Sequence, residues 1–491
     1  ASPMPTSTTW SMWCTNSPPR GALVSGQGEA GDQTPHGLGQ TRSRLTPSWV
    51  FPQLLILLAA LTLAGAWVLH NYYGQSTAET FSAGSADGWC DSASEGLGVH
   101  CFGDFHLPRL LAANLAETWS SDQFAHPYTP TSMVPHIASR YAAETPLGVR
   151  GSLFLYLVLL GIALLVPAAA CAWKATPRRL ALLPLLLVGL ATQPFLASID
   201  RGNSVAFAVP AVFIFALSVK RKPSWLAPSA VVLAACIRPQ FILLALAFVA
   251  FRQWRALLYS VGAGLASQLL LFVVWPGGFV HAVSGWLSNV SAFRVPVDIV
   301  ATSNANVSSA RGVVYFGRLL EQGPGFVGSA GSGLIRWVAA NPGAPGIAIG
   351  AGALFAVIAL QKHLPRAAML FIILPLPALV PSVSFGYYTV FALVLGALIW
   401  GPSLLTRTAG RWSLRNEGLL DQLPGRLWRS WAWFALGAVA LTLFPLPFRF
   451  AGGWNSGFLE ITGLTWTLVV VGTIAVGCVS WATGRSSRSM R

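Results

Sequence analysis

Long apolar stretches alternate with short polar ones along most of this chain. A membrane-crossing helix needs about 20 apolar residues, with a usual range of about 17–25. Stretches of that kind lie near 50–70, 151–173, 180–198, 203–219, 256–275, 343–361, 367–383, 385–401, 431–447 and 463–482, and they predict ten full crossings. Residues 224–251 are also apolar but are interrupted by Arg238-Pro239-Gln240. Each half holds about a dozen residues, too few to cross at about 1.5 Å of rise per residue. The pattern predicts a hairpin of two short helices with Arg238 near its tip. Such broken backbone is tolerated only where protein or water covers it. In the first long polar segment, Leu107, Leu110, Leu111 and Leu115 recur at helical spacing after Gly103-Asp104-Phe105. Pro108 suits a first turn, and Arg109, Asn114 and Glu117 are the polar members. This predicts an amphipathic helix lying on the membrane surface. The expected fold class is an all-α, polytopic integral membrane bundle.

The basic residues orient the spans by the excess of Lys and Arg on the cytoplasmic side. Arg42 and Arg44 precede the first span, and Lys174, Arg178 and Arg179 follow the second. Further clusters are Lys220-Arg221-Lys222, Arg252 with Arg255, Lys362-His363 with Arg366, Arg407 to Arg429, and Arg485 to Arg491. Ten crossings with a returning hairpin put all of them in the cytoplasm, together with both termini. The opposite side then receives two long loops, 71–150 and 276–342. Twelve of the sixteen acidic residues fall in the outer segments and none sits mid-span. Residues 1–45 are rich in Ser, Thr, Pro and Gly without apolar periodicity, and are expected to be a disordered cytoplasmic tail. Residues 46–485 form the membrane domain, and 486–491 a second tail. No secretory signal with a cleavage site precedes the first span, which is expected to be a retained anchor.

Composition agrees with a bilayer as solvent. Hydrophobic residues make up 54% of the 491 and charged residues only 10%, against about 25% charged in soluble domains. The net charge of +15 would raise nucleic acid as a partner in a soluble chain. Here the charge sits between apolar runs, so it reads as a topology signal and contact with anionic lipid. No nucleic-acid partner is expected. Of the six cysteines, Cys171, Cys236 and Cys478 lie in apolar runs and read as packing residues. Cys90 and Cys101 flank a polar stretch, where a disulfide is expected if the loop faces an oxidising compartment. No second ligand pair accompanies them at zinc spacing, and no metal is expected.

The polar residues that could do chemistry gather at the outer interface. Asp104 either takes a proton as general base or simply caps its helix. Asp200-Arg201-Gly202-Asn203 is either a polar site or an ordinary turn in which Asp caps and Arg snorkels. Arg238 needs a partner at the tip of its hairpin, either a phosphate held bidentately or a structural acid such as Asp200. In the second loop, Trp286, Arg294, Asp298, Asn304, Asn306, Ser308 and Arg311 suit hydroxyl recognition or form a solvated loop. The sequons at Asn289 and Asn306 read as incidental. Phe385-Gly386-Tyr387-Tyr388 is an aromatic-belt anchor or part of a lipid groove. No Walker loop, dinucleotide fingerprint, zinc helix or Gly-x-Ser-x-Gly elbow is present.

Taken in order, Gly-Asp-Phe, His-Pro-Tyr-Thr-Pro, Asp-Arg-Gly-Asn, Arg-Pro, Arg-Gln-Trp-Arg, the Asn/Ser–Val-Tyr-Phe-Gly stretch and Gly-Tyr-Tyr span about 50 to 482. With the span pattern, they resemble glycosyltransferase family 87, of the C-type membrane fold. The resemblance implies an enzyme of the plasma membrane that moves a sugar from a polyprenyl monophosphate to a glycolipid or polysaccharide. The transfer takes place on the outer face, without cofactor or metal. Mannosyl transfer is the leading expectation and arabinofuranosyl transfer the alternative. By the family match Asp104 is the base, and Arg201, Arg238 and Arg311 are candidates for the donor phosphate. Asp200, Asn203, Tyr128, His106, Arg109, Asn306, Tyr387 and Tyr388 are the substrate-contact candidates, and the protein is expected to be a monomer. The first loop is long for the family, with its two cysteines, and the Pro-rich segment departs from the usual Tyr-x-Pro-Pro. A transporter or flippase for lipid-linked sugar would share the groove and the arginines, but would need polar residues along the spans. A non-catalytic scaffold would leave the polar residues without convergence.

Overall fold

A computed structural model describes residues 47–73, 103–119, 128–174, 185–219, 225–292, 306–400, 403–408, 411–415, 419–420, 423–444, 448–450, 453–455 and 459–489. The expected tail 1–45 and the pair Cys90 and Cys101 lie outside these residues, and so do Arg294, Asp298 and Asn304. Among the described residues the secondary structure is helical apart from two short antiparallel hairpins, β1–β2 (Ser403–Thr408 and Arg411–Arg415) and β3–β4 (Phe448–Phe450 and Gly453–Asn455).

The core is built around one short helix that is apolar on every face. This helix, α16 (Phe391–Trp400), buries each residue from Phe391 to Ile399. A helix without a polar face must be enclosed on all sides. Here it packs against α1 (Pro47–Tyr73), α4 (Gly148–Lys174), α6 (Val209–Ser218) and α17 (Gly425–Leu443). Aromatic side chains lock the far side of the core. Phe391 meets Trp466 edge-on at 4.7 Å between ring centroids, and Phe371 meets Trp431 at 5.2 Å. The buried Trp466 indole needs an acceptor and donates to Thr442 Oγ1 at 2.8 Å. Outward-facing residues of the long helices are apolar and exposed, among them Phe154, Leu258, Leu270 and Val479. A helix that buries one apolar side and exposes another is solvated by lipid.

Among the described residues, three helical segments are long and apolar enough to cross a membrane: Gly148–Ala170, Trp254–Val273 and Ile461–Thr483. They lie in α4, α9 (Trp254–Val273) and α18 (Leu459–Ser489). The pair α12 (Phe326–Ala340) and α13 (Ala344–Ala359) makes a fourth if its 89° bend is counted within one span. The protein is thus a multi-pass membrane protein. Of the remaining stretches expected to cross, 50–70 runs unbroken within α1 and 431–443 within α17, while others are broken into shorter pieces. The run 180–198 holds a π-turn at Leu185–Leu190 before α5 (Gln193–Arg201) begins. The run 203–219 opens as a 3-10 turn, Ser204–Ala208, before α6. The run 367–383 divides at Pro375 into α14 (Arg366–Ile373) and α15 (Leu376–Leu379). Proline cannot donate the backbone bond that would continue the helix.

The stretch 276–342 is not the loop its composition predicts. It contains α10 (Phe279–Ala292), α11 (Ser309–Glu321) and α12. Its glycines let helices approach closely, a packing mode favoured where lipid removes the hydrophobic drive between helices. A Cβ on Gly463 of α18 would meet the Ser308 carbonyl, and one on Gly312 of α11 would lie 2.6 Å from Leu464 N. The amphipathic helix in the first loop is also shorter than expected. It is α2 (Gly103–Leu111), followed by a separate turn at Leu115–Glu117. Pro108 sits in its middle rather than its first turn, and lacks the N–H that would bond the Asp104 carbonyl. Phe105 is fully buried, and the helix packs on α3 (Pro130–Ala143) and α5 rather than lying free on a surface.

Between α7 (Leu226–Ile237) and α8 (Leu246–Ala250) the chain breaks at Arg238, which is extended, and resumes as a 3-10 turn at Pro239–Ala245. Ser260 Oγ donates to Pro228 O, Gln268 Nε2 donates to Ala235 O, and Ser267 meets Cys236. These partners rise together in number, so α7 and α9 run parallel. The piece between them must therefore run back, with Arg238 at the reversal.

The glycine contacts give a direct check. Gly463→Ala is expected to destabilise the folded protein by about 1–3 kcal/mol through overpacking against the α11 backbone. Gly472→Ala, in the same helix with open space around its Cβ position, is expected to leave the thermal midpoint in detergent unchanged or slightly raised. Equal effects of the two would refute the close packing of α11 on α18.

Candidate functional site

Three segments far apart in sequence meet at one end of the bundle. The first is the start of α2, which carries Asp104 in its first turn. The second is the junction between α5 and α6. Here α5 ends on Gly202 in the left-handed conformation, φ 63° and ψ 33°. Glycine adopts this without a side-chain penalty, and a Cβ there would come within 2.9 Å of Phe105 Cβ. The Gly202 carbonyl accepts from the Tyr156 hydroxyl of α4 at 3.1 Å. This turn delivers Arg201 and Asn203 on either side of the glycine. The third segment is the reversal at Arg238.

The fully buried Asn203 amide joins the three. Its Nδ2 donates to Asp104 Oδ2 at 2.9 Å. Its Oδ1 accepts from Val205 N at 2.9 Å, capping the next turn, and from Arg238 Nη2 at 3.3 Å. Arg201 Nε approaches the same Asp104 oxygen at 3.5 Å. Both contacts fall on Oδ2, and the Asp104 side chain keeps 15% of its exposure. The carboxylate is therefore a hydrogen-bonded member of the cluster. Asn203 supplies a cap at this junction.

Arg238 is 5% exposed. Its guanidinium lies 4.1 Å from the centroid of the Tyr128 ring, a cation–π contact that strengthens when both groups are desolvated. The Tyr128 hydroxyl is also hydrogen-bonded to it. Burial pushes the Tyr128 phenol up to about 12, with the Asp104 charge adding and Arg238 opposing, so Tyr128 is a neutral donor at ordinary pH. Tyr387 is 7% exposed and feels the charges of Asp104 and Arg201. Tyr388 neighbours Arg238 and is hydrogen-bonded to the side chain of Gln240. One acidic and two basic side chains thus share a pocket of phenols, with a formal charge of one positive unit among these three groups. Such a cluster can hold an anion next to a carboxylate.

The structure brings Asp104, Arg201, Asn203, Arg238, Tyr128, Tyr387 and Tyr388 together. Asp200 and His106 belong to the same two helices, α5 and α2. Arg109 lies five positions after Asp104, about 140° around the helix, where burial and the neighbouring Arg140 charge depress its pKa. Asn306 is fully buried, and its amide ties two stretches of backbone. Its Oδ1 accepts from Ser308 N and Ser384 N, and its Nδ2 donates to Ser382 O. This bond set holds the strand-like residues before Gly386-Tyr387-Tyr388, so Asn306 positions the tyrosine segment. Arg311 is fully buried in the first turn of α11. The sequons are inaccessible. Asn289 is 5% exposed and donates to Trp119 O at 2.7 Å. Trp286 packs on Phe272 at 5.7 Å between rings.

Residue reasoning missed Tyr156, which sits inside an apolar run. The available signal was a lone hydroxyl in an otherwise aliphatic stretch, which must find a partner. Among the described residues no three His, Cys, Asp or Glu side chains converge as metal ligands.

Removing the Asn203 amide leaves Asp104 and Arg238 each short of a buried partner. Asn203→Ala is expected to lower stability by about 1–3 kcal/mol, read as a fall in the thermal midpoint of purified protein. A midpoint unchanged by this substitution would show that the amide does not join the three segments.

No family model, no curated protein and no solved structure matches the chain, so the reading of this site rests on its own geometry and on the motifs that compose it.

Proposed function

We propose that the protein is a membrane glycosyltransferase of the C-type fold. It transfers a sugar, with mannose as the leading assignment, from a polyprenyl monophosphate to an envelope glycolipid or polysaccharide. The observation that carries this reading is the chain Asp104–Asn203–Arg238 with Arg201 beside it. A base and an anion site must flank one reacting centre, and here a partly exposed carboxylate and two guanidiniums share one cluster. The ten-crossing arrangement, with the site on the outer face and both termini in the cytoplasm, belongs to this proposal. It is supported by the concentration of Lys and Arg in the opposite segments.

In the proposed reaction the acceptor hydroxyl loses its proton to Asp104 as its oxygen attacks the anomeric carbon. The bond from that carbon to the phosphate oxygen breaks on the opposite face, and the electron pair leaves with the phosphate. Arg238 and Arg201 stabilise the charge that develops on the phosphate. Arg238 is fixed by Asn203 and Tyr128, so little reorganisation accompanies the step. The anomeric configuration inverts once. Tyr387 and Tyr388 provide faces and hydroxyls for sugar or phosphate contact.

The test uses purified protein with labelled polyprenyl-phosphate mannose, and the arabinose analogue in parallel, on membrane extract. General-base catalysis contributes about 10²- to 10⁴-fold. Asp104→Asn should therefore cut turnover by at least about a hundredfold while donor affinity stays within about twofold. Wild-type turnover in that variant would sink the assignment. Arg238→Lys keeps the charge but loses the planar fork, and is expected to weaken donor binding about tenfold. An effect confined to acceptor affinity would contradict its phosphate role.

A further inference from the structure

The other end of the bundle carries a second basic cluster that the proposed reaction does not use. The turn between α13 and α14 reads Gln361-Lys362-His363-Leu364-Pro365-Arg366. Lys362, His363, Leu364, Pro365, Arg366, Ala367 and Pro424 line a cavity of about 330 Å³. Its place along the bundle follows from hydrogen bonds. Arg366 Nη2 donates to Ala216 O at 2.7 Å and to Leu217 O at 3.2 Å. These are the last carbonyls of α6. The turn that feeds α6 begins at Asn203, in the Asp104 cluster. Five residues at about 2.0 Å and ten at about 1.5 Å separate the two by about 25 Å.

The level of the cavity is marked independently. Gln253 Nε2 donates to Val219 O at 3.0 Å, which puts the start of α9 beside the end of α6. α7 and α9 run parallel, so the start of α7 lies at the same height. The residues there are Trp225 and Trp254, 73% and 56% exposed, with Arg252 and Arg255 between and beside them. Exposed indoles next to arginines are the signature of headgroup depth. The cavity therefore opens at the boundary between lipid tails and water, on the face opposite the Asp104 site.

We infer that this cavity binds the phosphate of an anionic phospholipid headgroup. Arg366 is anchored on the α6 carbonyls, giving a fixed positive charge in the wall. Lys362 is exposed and His363 half-buried, placing an ammonium and an imidazole at the rim. Leu364, Pro365, Ala367 and Pro424 supply apolar surface for the glycerol and upper acyl chain. The inference is independent of the glycosyltransferase reading and holds or fails apart from it.

The test is native mass spectrometry and thermal-shift titration of the purified full chain. The probes are phosphatidylglycerol, phosphatidylcholine and inorganic phosphate. Phosphatidylglycerol should bind and raise the thermal midpoint, with the other two much weaker. Lys362→Gln combined with His363→Gln should weaken phosphatidylglycerol binding about tenfold, while Arg252→Gln combined with Arg255→Gln, equal in number of basic groups and at the same depth, changes it less than about twofold. These variants leave Arg366 in place, because its bonds to α6 also serve the fold. Equal losses in the two double variants would reduce the effect to diffuse surface charge and overturn the site. Inorganic phosphate as effective as the lipid would overturn the headgroup assignment in favour of a soluble anion.

Discussion

A single buried amide holds one end of this molecule together. Asn203 gives its two donor and acceptor faces to Asp104 and Arg238, and caps the turn that leads into α6. Each of those groups would be costly alone. A buried guanidinium without a partner is among the most expensive arrangements in a low-dielectric setting. The amide relays between opposite charges without neutralising either, and the Tyr128 ring covers the guanidinium. The first loop, the α5–α6 turn and the hairpin reversal are therefore fixed relative to one another by polar bonds, while the helices behind them pack through apolar surface. Gly202 makes the junction possible. A side chain at that position would strain the backbone and strike Phe105.

The same arrangement explains why the charged members of this cluster stood out in the sequence while the continuity of the spans did not. Asp104, Arg201 and Arg238 stand out because charged residues are rare in the apolar part of the chain, and rarity is a strong signal where burial is expensive. The break at Arg238-Pro239 was legible for the same reason, since proline and a charge together cannot continue an apolar helix. Span continuity was not legible. A hydropathy run reports that a segment is apolar, not that its backbone is unbroken. The π-turn at Leu185–Leu190 and the 3-10 opening at Ser204–Ala208 lie in sequences as apolar as any continuous helix. The 3-10 opening depends on a tertiary setting, since Asn203 both caps it and bonds Asp104 and Arg238.

The segment 276–342 shows the opposite error. Its polar and glycine-rich composition reads as loop, yet α10, α11 and α12 form there. Glycines at positions 312, 317 and 331 lower helix propensity but permit backbone approach, and in this setting packing outweighs propensity. Asn306 illustrates a related ambiguity. Its amide suits hydroxyl recognition in isolation, and only the structure shows it occupied by the backbone of residues 308, 382 and 384. A side chain's capacity to bind is readable from sequence. What it binds depends on which backbone the fold brings near.

The charge distribution along the bundle links the two ends. At one end a carboxylate and two guanidiniums share a pocket, with one positive charge left over among them. At the other, arginines, a lysine and exposed tryptophans ring the helix ends with no acid among the cavity residues. An asymmetry of this kind both sets orientation during insertion and draws anionic lipid to one face. The bonds from Arg366 to α6 and from Asn203 to the start of the same chain segment show that one rod of helix connects the two polar layers.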